Sequence, residues 1–253
     1  MSIALSVNLN KIALIRNSRE GNFPSVEEFG RLSLKAGANG LTVHPRPDQR
    51  HITPTDTRTL AQLVKTLYTP ENPIEFNIEG NPFAPPRAGY PGLIPLCLET
   101  RPNQCTLVPD SDSQKTSDHG FNLAQDGDRL APLIQQLKDA GIRVSLFMDP
   151  DIEQIERAKA IGADRIELYT GPFASAYGSN NEQRLFTEHS RAAETAAKLG
   201  LGLNAGHDLN LENMTLYRTL PHLCEVSIGH ALTVDALLMG FENTVQRYRK
   251  LCE

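Results

Sequence analysis

The stretch AGIRVSLFMDPDIEQIERAKAIGADRIELYT, residues 140–170, reads as one complete strand–helix–strand unit. Arg143–Phe147 is an apolar run of strand length, and Asp151 stands where a helix cap belongs, ahead of the helical pattern at 152–160. Gly162, in Ile161-Gly162-Ala163, ends that helix, because glycine enters the left-handed conformation at little cost. Arg165–Tyr169 is the next strand. The same punctuation recurs outward from this unit, at Ala36-Gly37-Ala38, Ala140-Gly141-Ile142 and Leu199-Gly200-Leu201. Helix starts carry caps as well: Ser25 before Val26-Glu27-Glu28 predicts a capping box, and Thr55 and Thr233 are further candidate caps.

Read this way, the chain offers eight strands: Ile3–Leu9, Gly40–His44, Ile74–Asn77, Gln104–Val108, Arg143–Phe147, Arg165–Tyr169, Gly202–Asn204 and Glu225–Ile228. Several are rich in Val, Ile and Leu without strict alternation, the pattern expected of parallel strands buried on both faces. Helical patterns fall at about 26–36, 55–67, 92–100, 127–140, 152–160, 181–199, 211–218 and 232–251. Eight strand–helix units in 253 residues predict an α/β chain folded as a single (β/α)8, or TIM, barrel, one domain over 1–253 with extra loops or short helices. A doubly wound sheet is the alternative, but the chain has neither a glycine-rich dinucleotide fingerprint nor GxxxxGK[ST].

Composition narrows the function classes. Hydrophobic residues make up 40% and charged residues 22%, an ordinary globular mix. Twenty-five basic against 30 acidic residues give a net charge of −5, and there is no Trp. Nucleic acid and anionic membrane are therefore not expected partners, and an anionic ligand must be held by local charges and backbone amides. Four cysteines without CxxC pairing read as reduced thiols of a cytoplasmic protein. The N-terminal apolar run is too short for a signal peptide, and no window of about 18 apolar residues spans a bilayer.

Two loops follow strands and so belong over the mouth of a barrel. Glu79–Pro91 is proline-rich and reads equally as a lid or a subunit contact. Pro109–Phe121 is polar and reads as a lid. Strand carboxyl ends converge on that mouth. They bring Asn8, Asn10 and Lys11, then His44 to His51 with Arg46 and Arg50, then Glu75 and Asn77, then Glu167 and Thr170, and finally Asn204 to Asp208 and Ile228-Gly229-His230. Thr100 and Arg101 lie just before strand 4. Histidine exchanges protons near neutrality, and a buried carboxyl such as Glu75 has its pKa raised into a usable range. Gly206-His207 and Gly229-His230 let backbone amides approach a phosphate, and Arg19 and Arg46 are candidates to grip one with paired hydrogen bonds. These residues alone point to acid/base chemistry on phosphorylated small molecules. They leave open a phosphosugar epimerase or aldolase (by a metal held by His44, Glu75 and His207, or a Schiff base on Lys11) and a non-catalytic phosphate-binding barrel.

Several blocks together carry a likeness: Val7-Asn8-Leu9-Asn10-Lys11-Ile12-Ala13, Arg16-Asn17-Ser18-Arg19, Thr42-Val43-His44-Pro45-Arg46-Pro47-Asp48, Arg50-His51-Ile52, Leu107-Val108-Pro109, Val144-Ser145-Leu146-Phe147, Asn204-Ala205-Gly206-His207 and Ile228-Gly229-His230. In this order, over about residues 5–245, the chain resembles the pyridoxine 5′-phosphate synthase (PdxJ) family. The resemblance implies a TIM barrel assembling as a homo-octamer. It implies a transferase-class, ring-closing synthase of vitamin B6 biosynthesis that condenses 3-amino-2-oxopropyl phosphate with 1-deoxy-D-xylulose 5-phosphate and needs no metal or other cofactor. His44 and Glu75 would be proton acceptors and His207 a proton donor. Asn8, Arg19, Arg46, His51, Thr100, Gly229 and His230 would hold the two substrates, with Asn10, Lys11 and Asp208 beside them and Glu167 in support. The chain departs from the family's commoner pattern at Asn10-Lys11, where Asp-His is usual, and at Asp208, where glycine is usual.

Overall fold

A computed structural model describes residues 2–253. Eight parallel strands close into a barrel in sequence order, β1 pairing with β8. They are β1 (Ala4–Asn8), β2 (Gly40–Val43), β3 (Glu75–Gly80), β4 (Gln104–Leu107), β5 (Arg143–Met148), β6 (Arg165–Leu168), β7 (Gly202–Ala205) and β8 (Leu223–Ile228). Among the described residues eleven helices surround them: α1 (Asn10–Asn17), α2 (Val26–Lys35), α3 (Pro54–Leu67), α4 (Leu93–Thr100), α5 (Leu123–Asp139), α6 (Ile152–Ala160), α7 (Gly171–Ala176), α8 (Glu182–Lys198), α9 (Met214–Tyr217), α10 (His230–Met239) and α11 (Phe241–Leu251). The expected barrel is the observed one.

The strands do alternate, contrary to the sequence expectation. Leu5 and Val7, Leu41 and Val43, Phe76 and Ile78, Val144 and Leu146 are buried in the apolar layer shared with the helices. The residues between them face the axis and are polar. Ser6 Oγ and Thr42 Oγ1 lie 2.7 Å apart, Asn77 Nδ2 donates to Thr42 at 3.4 Å, and Thr106 donates to Asn77 at 3.1 Å. At the amino end, Arg143 pairs with Glu75 and donates to Gln104 at 2.9 Å. Arg165 donates to Asn204 and Glu225, both at 2.9 Å, and Asn204 reaches Gln104 across the axis at 3.3 Å. The hydrophobic core is therefore a ring between strands and helices, and the axis is filled by hydrogen-bonded polar side chains.

The helix punctuation holds at the four glycines: Gly37, Gly141, Gly162 and Gly200 all take positive φ. Asp151 caps α6 by accepting from Gln154 N, and Ser25 accepts from Glu28 N. The complete reciprocal box forms at α3, between Thr53 and Asp56 with Pro54 at the first position, so Thr53 takes the role expected of Thr55. Thr233 is not a cap: it lies inside α10 and its hydroxyl donates to Gly229 O. Helices α1 and α7 were not expected, and the pattern at 232–251 divides at Gly240 into α10 and α11.

Candidate active site

The carboxyl ends of the strands enclose a cavity of about 380 Å³. Asn8, Asn10 and Lys11 enter it from the β1–α1 junction, His44, Arg46, Arg50 and His51 from the segment after β2, and Glu79 from the end of β3. Glu167 comes from β6, Gly206, His207 and Asp208 follow β7, and Gly229 and His230 open α10. Lys115, Thr116 and Ser117 of the polar loop close it from above. The polar segment of 109–121 thus does lie over the mouth. Arg46 Nη1 donates to Ser111 O at 3.3 Å and Gln114 O at 2.8 Å, Arg50 holds Gln114 O at 2.9 Å and Asp112 O at 2.7 Å, and Thr116 Oγ1 lies 2.5 Å from His207 Nε2.

Three expected site residues lie elsewhere. Glu75 begins β3 at the opposite end of the barrel and pairs with Arg143. Burial alone would raise its carboxyl, but the Arg143 hydrogen bond and charge outweigh this and hold it below the ordinary range. It does not share a space with His44 and His207, so neither the expected acid/base set nor a metal held by His44, Glu75 and His207 assembles. Thr100 ends α4 before β4 begins, with its hydroxyl on Leu96 O at 2.7 Å and its carbonyl accepting from Lys65 at 2.9 Å. Arg19 is exposed beyond α1 and outside the cavity. Its neighbour Arg16 is buried, but in a structural pair with Asp56 at 2.5 Å.

The carboxyl that does meet the histidines is Glu79, four residues further along β3. Side chains two apart in a strand share a face, so Glu75, Asn77 and Glu79 all face the axis, at successive heights. Glu79 Oε2 stands 4.0 Å from His44 Nδ1 and accepts from Asn8 Nδ2 at 3.4 Å. Reading the strand as starting at Glu75 would have found it. Glu79, Lys115, Thr116, Ser117 and Phe147 are among the lining residues that no strand-end pattern singled out.

The electrostatics are divided. Burial, with the charges of Arg46 and Arg50 adding to it, depresses His44 to about 3, so its imidazole is neutral. His51 is likewise pushed to about 3, by burial first and then by His44 and Arg46. Burial raises Glu79 well above the carboxylate range, with Glu167 and Asp110 adding repulsion, and it raises Glu167 to about 8 with Glu225 beside it. Glu167 therefore holds its proton at neutral pH, and Glu79 is shifted in the same direction, toward its neutral acid form. His207 Nδ1 lies 2.9 Å from Asp208 Oδ2, and that close pairing leads the lowering of Asp208. Asp208 itself sits at φ 63.

Backbone is brought close at two points. A Cβ on Gly206 would stand 2.1 Å from Ser227 O, so only glycine fits there. Gly229 caps α10 without a side-chain hydrogen bond, leaving that helix's first N–H groups facing the cavity beside His230 and Lys11. The chain is net acidic, yet Lys11, Arg46, Arg50 and Lys115 gather here. The arrangement can hold anions and move protons.

Solved structures of similar shape include 3-hexulose-6-phosphate synthase of Salmonella typhimurium, with a TM-score of 0.60 and 14% identity over 100% of this chain and 98% of that one. Phosphoribosyl anthranilate isomerase of Thermotoga maritima gives 0.59 and 13% over 99% and 98%. At such identities they speak to the barrel alone. Sequence relatives are much nearer. A pyridoxine 5′-phosphate synthase of Xanthomonas campestris pv. campestris (strain B100) is 55% identical over 98% of this chain and 95% of its own length. One of Xylella fastidiosa (strain 9a5c) is 50% identical over 96% and 92%. The family described as pyridoxal phosphate biosynthesis protein PdxJ matches residues 5–253. This chain belongs to that family.

Proposed function

We propose that the chain is a pyridoxine 5′-phosphate synthase, condensing 3-amino-2-oxopropyl phosphate with 1-deoxy-D-xylulose 5-phosphate and closing the pyridine ring. The observation that carries this reading is the joint placement of His44, Glu79 and His207 around one cavity with cations at two sides, in a chain of this family. One phosphate fits the N-terminus of α10, with Gly206, Gly229, His230 and Lys11 around it. The other fits Arg46, Arg50 and His51 under the polar loop.

The proton inventory suits a condensation. His44, neutral in the empty site, takes a proton from the substrate ammonium and frees the amine to attack the ketone of the partner. The phosphate that arrives beside Arg46 and Arg50 offsets two charges that depress His44, which makes the imidazole a better base at that moment. Glu79, shifted by burial toward its neutral acid form, serves as donor to a developing oxyanion or leaving hydroxyl, then returns as acceptor. His207, beside Asp208, is placed to give a proton to the carbinol hydroxyl, which then departs as water. Asn8, Asn10 and Glu167 orient the ketose hydroxyls. The loop at 109–121 acts as a lid that keeps water from reactive imines. Each positioned acid or base is worth roughly 10²–10⁴ in rate.

Self-association as an octamer belongs to the same proposal. Leu237 and Leu238 of α10 are 77% and 84% exposed, and Leu14 and Ile15 of α1 add to this apolar face. Among the described residues no helix is long and apolar enough to cross a membrane, and all four cysteines are free, which suits the cytoplasmic residence we infer. The test is direct. Purified protein mixed with both phosphorylated substrates should yield pyridoxine 5′-phosphate, seen by its absorbance, with release of inorganic phosphate. Substrate consumption without either product would overturn the reading.

A further inference from the structure

Arg46 is the residue most expected to grip phosphate, yet its guanidinium is already occupied. It is 4% exposed, pairs through Nη2 with Asp110 (5% exposed), and donates through Nη1 to two carbonyls of the polar loop. A carboxylate thus sits where a phosphate oxygen would sit in a paired, planar grip. The same Asp110 oxygen lies 3.4 Å from His44 Nε2, a buried nitrogen with no hydrogen-bond partner. Behind Asp110 lies a second cavity, of about 240 Å³, that shares Arg46 as its wall and has Arg87 on its rim.

We propose that Asp110 is a stand-in ligand of Arg46: in the empty enzyme its carboxylate fills the anion-binding fork, and an incoming substrate phosphate displaces it toward the neighbouring cavity. The proposal deepens, and rests on, the reading that Arg46 binds a substrate phosphate. Displacement does two things at once. It frees the fork, and it uncovers His44 Nε2 to the substrate. Because Arg46 and Arg50 hold the carbonyls of Ser111, Asp112 and Gln114, movement of Asp110 carries the loop with it, so that anion binding and loop rearrangement are one event. Asp110 is thus a positioning residue.

The charged surroundings favour an exchangeable partner. Asp110 faces His44, Arg46 and Arg50 from the segment after β2, Glu79 from β3, Tyr90 from the proline-rich loop and Asp112 from its own. Burial wins over the Arg46 and Arg50 charges and sets its carboxyl at about 6. Below that pH the stand-in is neutral and competes weakly; above it the stand-in is charged and competes strongly.

Sulfate is the probe, because its charge does not change between pH 5 and 8. Calorimetric titration of sodium sulfate into wild type, Asp110→Asn and Arg46→Gln separates the readings. Asp110→Asn should bind sulfate on the order of tenfold tighter than wild type at pH 8, the scale of one charged hydrogen-bond partner removed from competition. That ratio should shrink toward one as the pH falls through 6. Arg46→Gln should lose the site. If Arg46→Gln abolishes binding while Asp110→Asn binds equally or more weakly, the stand-in proposal falls and the Arg46 reading stands. If Arg46→Gln binds as wild type does, the Arg46 reading itself falls. Should Asp110→Asn not fold, wild type suffices: saturating sulfate must change the rate of proteolysis within 109–121, and an unchanged rate refutes the proposal.

Discussion

Exchanging Glu79 and Glu75 for Gln, one at a time, separates the two carboxyls of β3 by what each does. Glu79 is 4.0 Å from His44, and burial with the nearby Glu167 and Asp110 disfavours its charge and favours its neutral acid form. Glutamine is close in shape to that neutral acid, so Glu79→Gln should fold with an unchanged or slightly raised melting temperature. It cannot pass a proton, and turnover should drop by roughly 10²–10⁴, equivalent to about 3–5 kcal/mol of barrier. Glu75 makes the opposite trade. Its side chain is 44% exposed and its partner Arg143 25%, so screening reduces the pair's value to about 1 kcal/mol or less. Glu75→Gln should lower the unfolding free energy by that small amount and leave kcat within about twofold, because the residue lies at the other end of the barrel from the cavity. The assay is pyridoxine phosphate formation with phosphate release, run beside urea unfolding of each variant. A Glu75→Gln enzyme that has lost turnover while Glu79→Gln retains it would refute the assignment.

Three further outcomes are expected. Glu167 keeps its proton to about pH 8 when folded, whereas an unfolded chain releases it near 4.5, so folding takes up a proton between those values and stability falls as pH rises across them. Glu167→Gln should therefore gain on wild type steadily from pH 4.5 to 8 in urea unfolding, and a gap that stays constant with pH would count against it. Asp56 serves both the box that starts α3 and the buried pair with Arg16, so Asp56→Ala should cost about 3–5 kcal/mol; a loss under 1 kcal/mol in the same measurement would contradict the pair's role. Gly206→Ala would press a methyl to 2.1 Å from Ser227 O, and the backbone shift beside His207 should lower kcat by about 10²-fold, which steady-state kinetics would show or deny.

The barrel was legible because its punctuation is local. Glycines 37, 141, 162 and 200 end helices in the sequence as they do in the fold. The histidines at 44, 207 and 230 were legible because each follows a strand. The errors came from distances that local patterns do not encode. Glu75 and Glu79 share a face, and only the height at which β3 starts, fixed by its pairing with β2 and β4, tells floor from mouth. Thr116 meets His207 across 91 positions of chain, a contact that no periodicity announces. Helix α1 was hidden because Leu14 and Ile15 point outward at 42% and 44% exposure, which blurs its apolar stripe. The polar interior is written in the sequence, as in Ala4-Leu5-Ser6-Val7-Asn8, but the general expectation that parallel strands are apolar on both faces masks it.

That interior bears on whether the chain can be divided. A cut between β4 and β5 would divide the barrel into two halves of four strands each. Here such a cut would part Arg143 from Glu75 and Gln104, and Asn204 from Gln104, leaving a guanidinium and several amides without partners. Each half would also present two open strand edges, since both the β4–β5 and the β8–β1 pairings would be lost. Neither fragment has reason to hold its shape alone, so the architecture binds its two halves into a single cooperative unit.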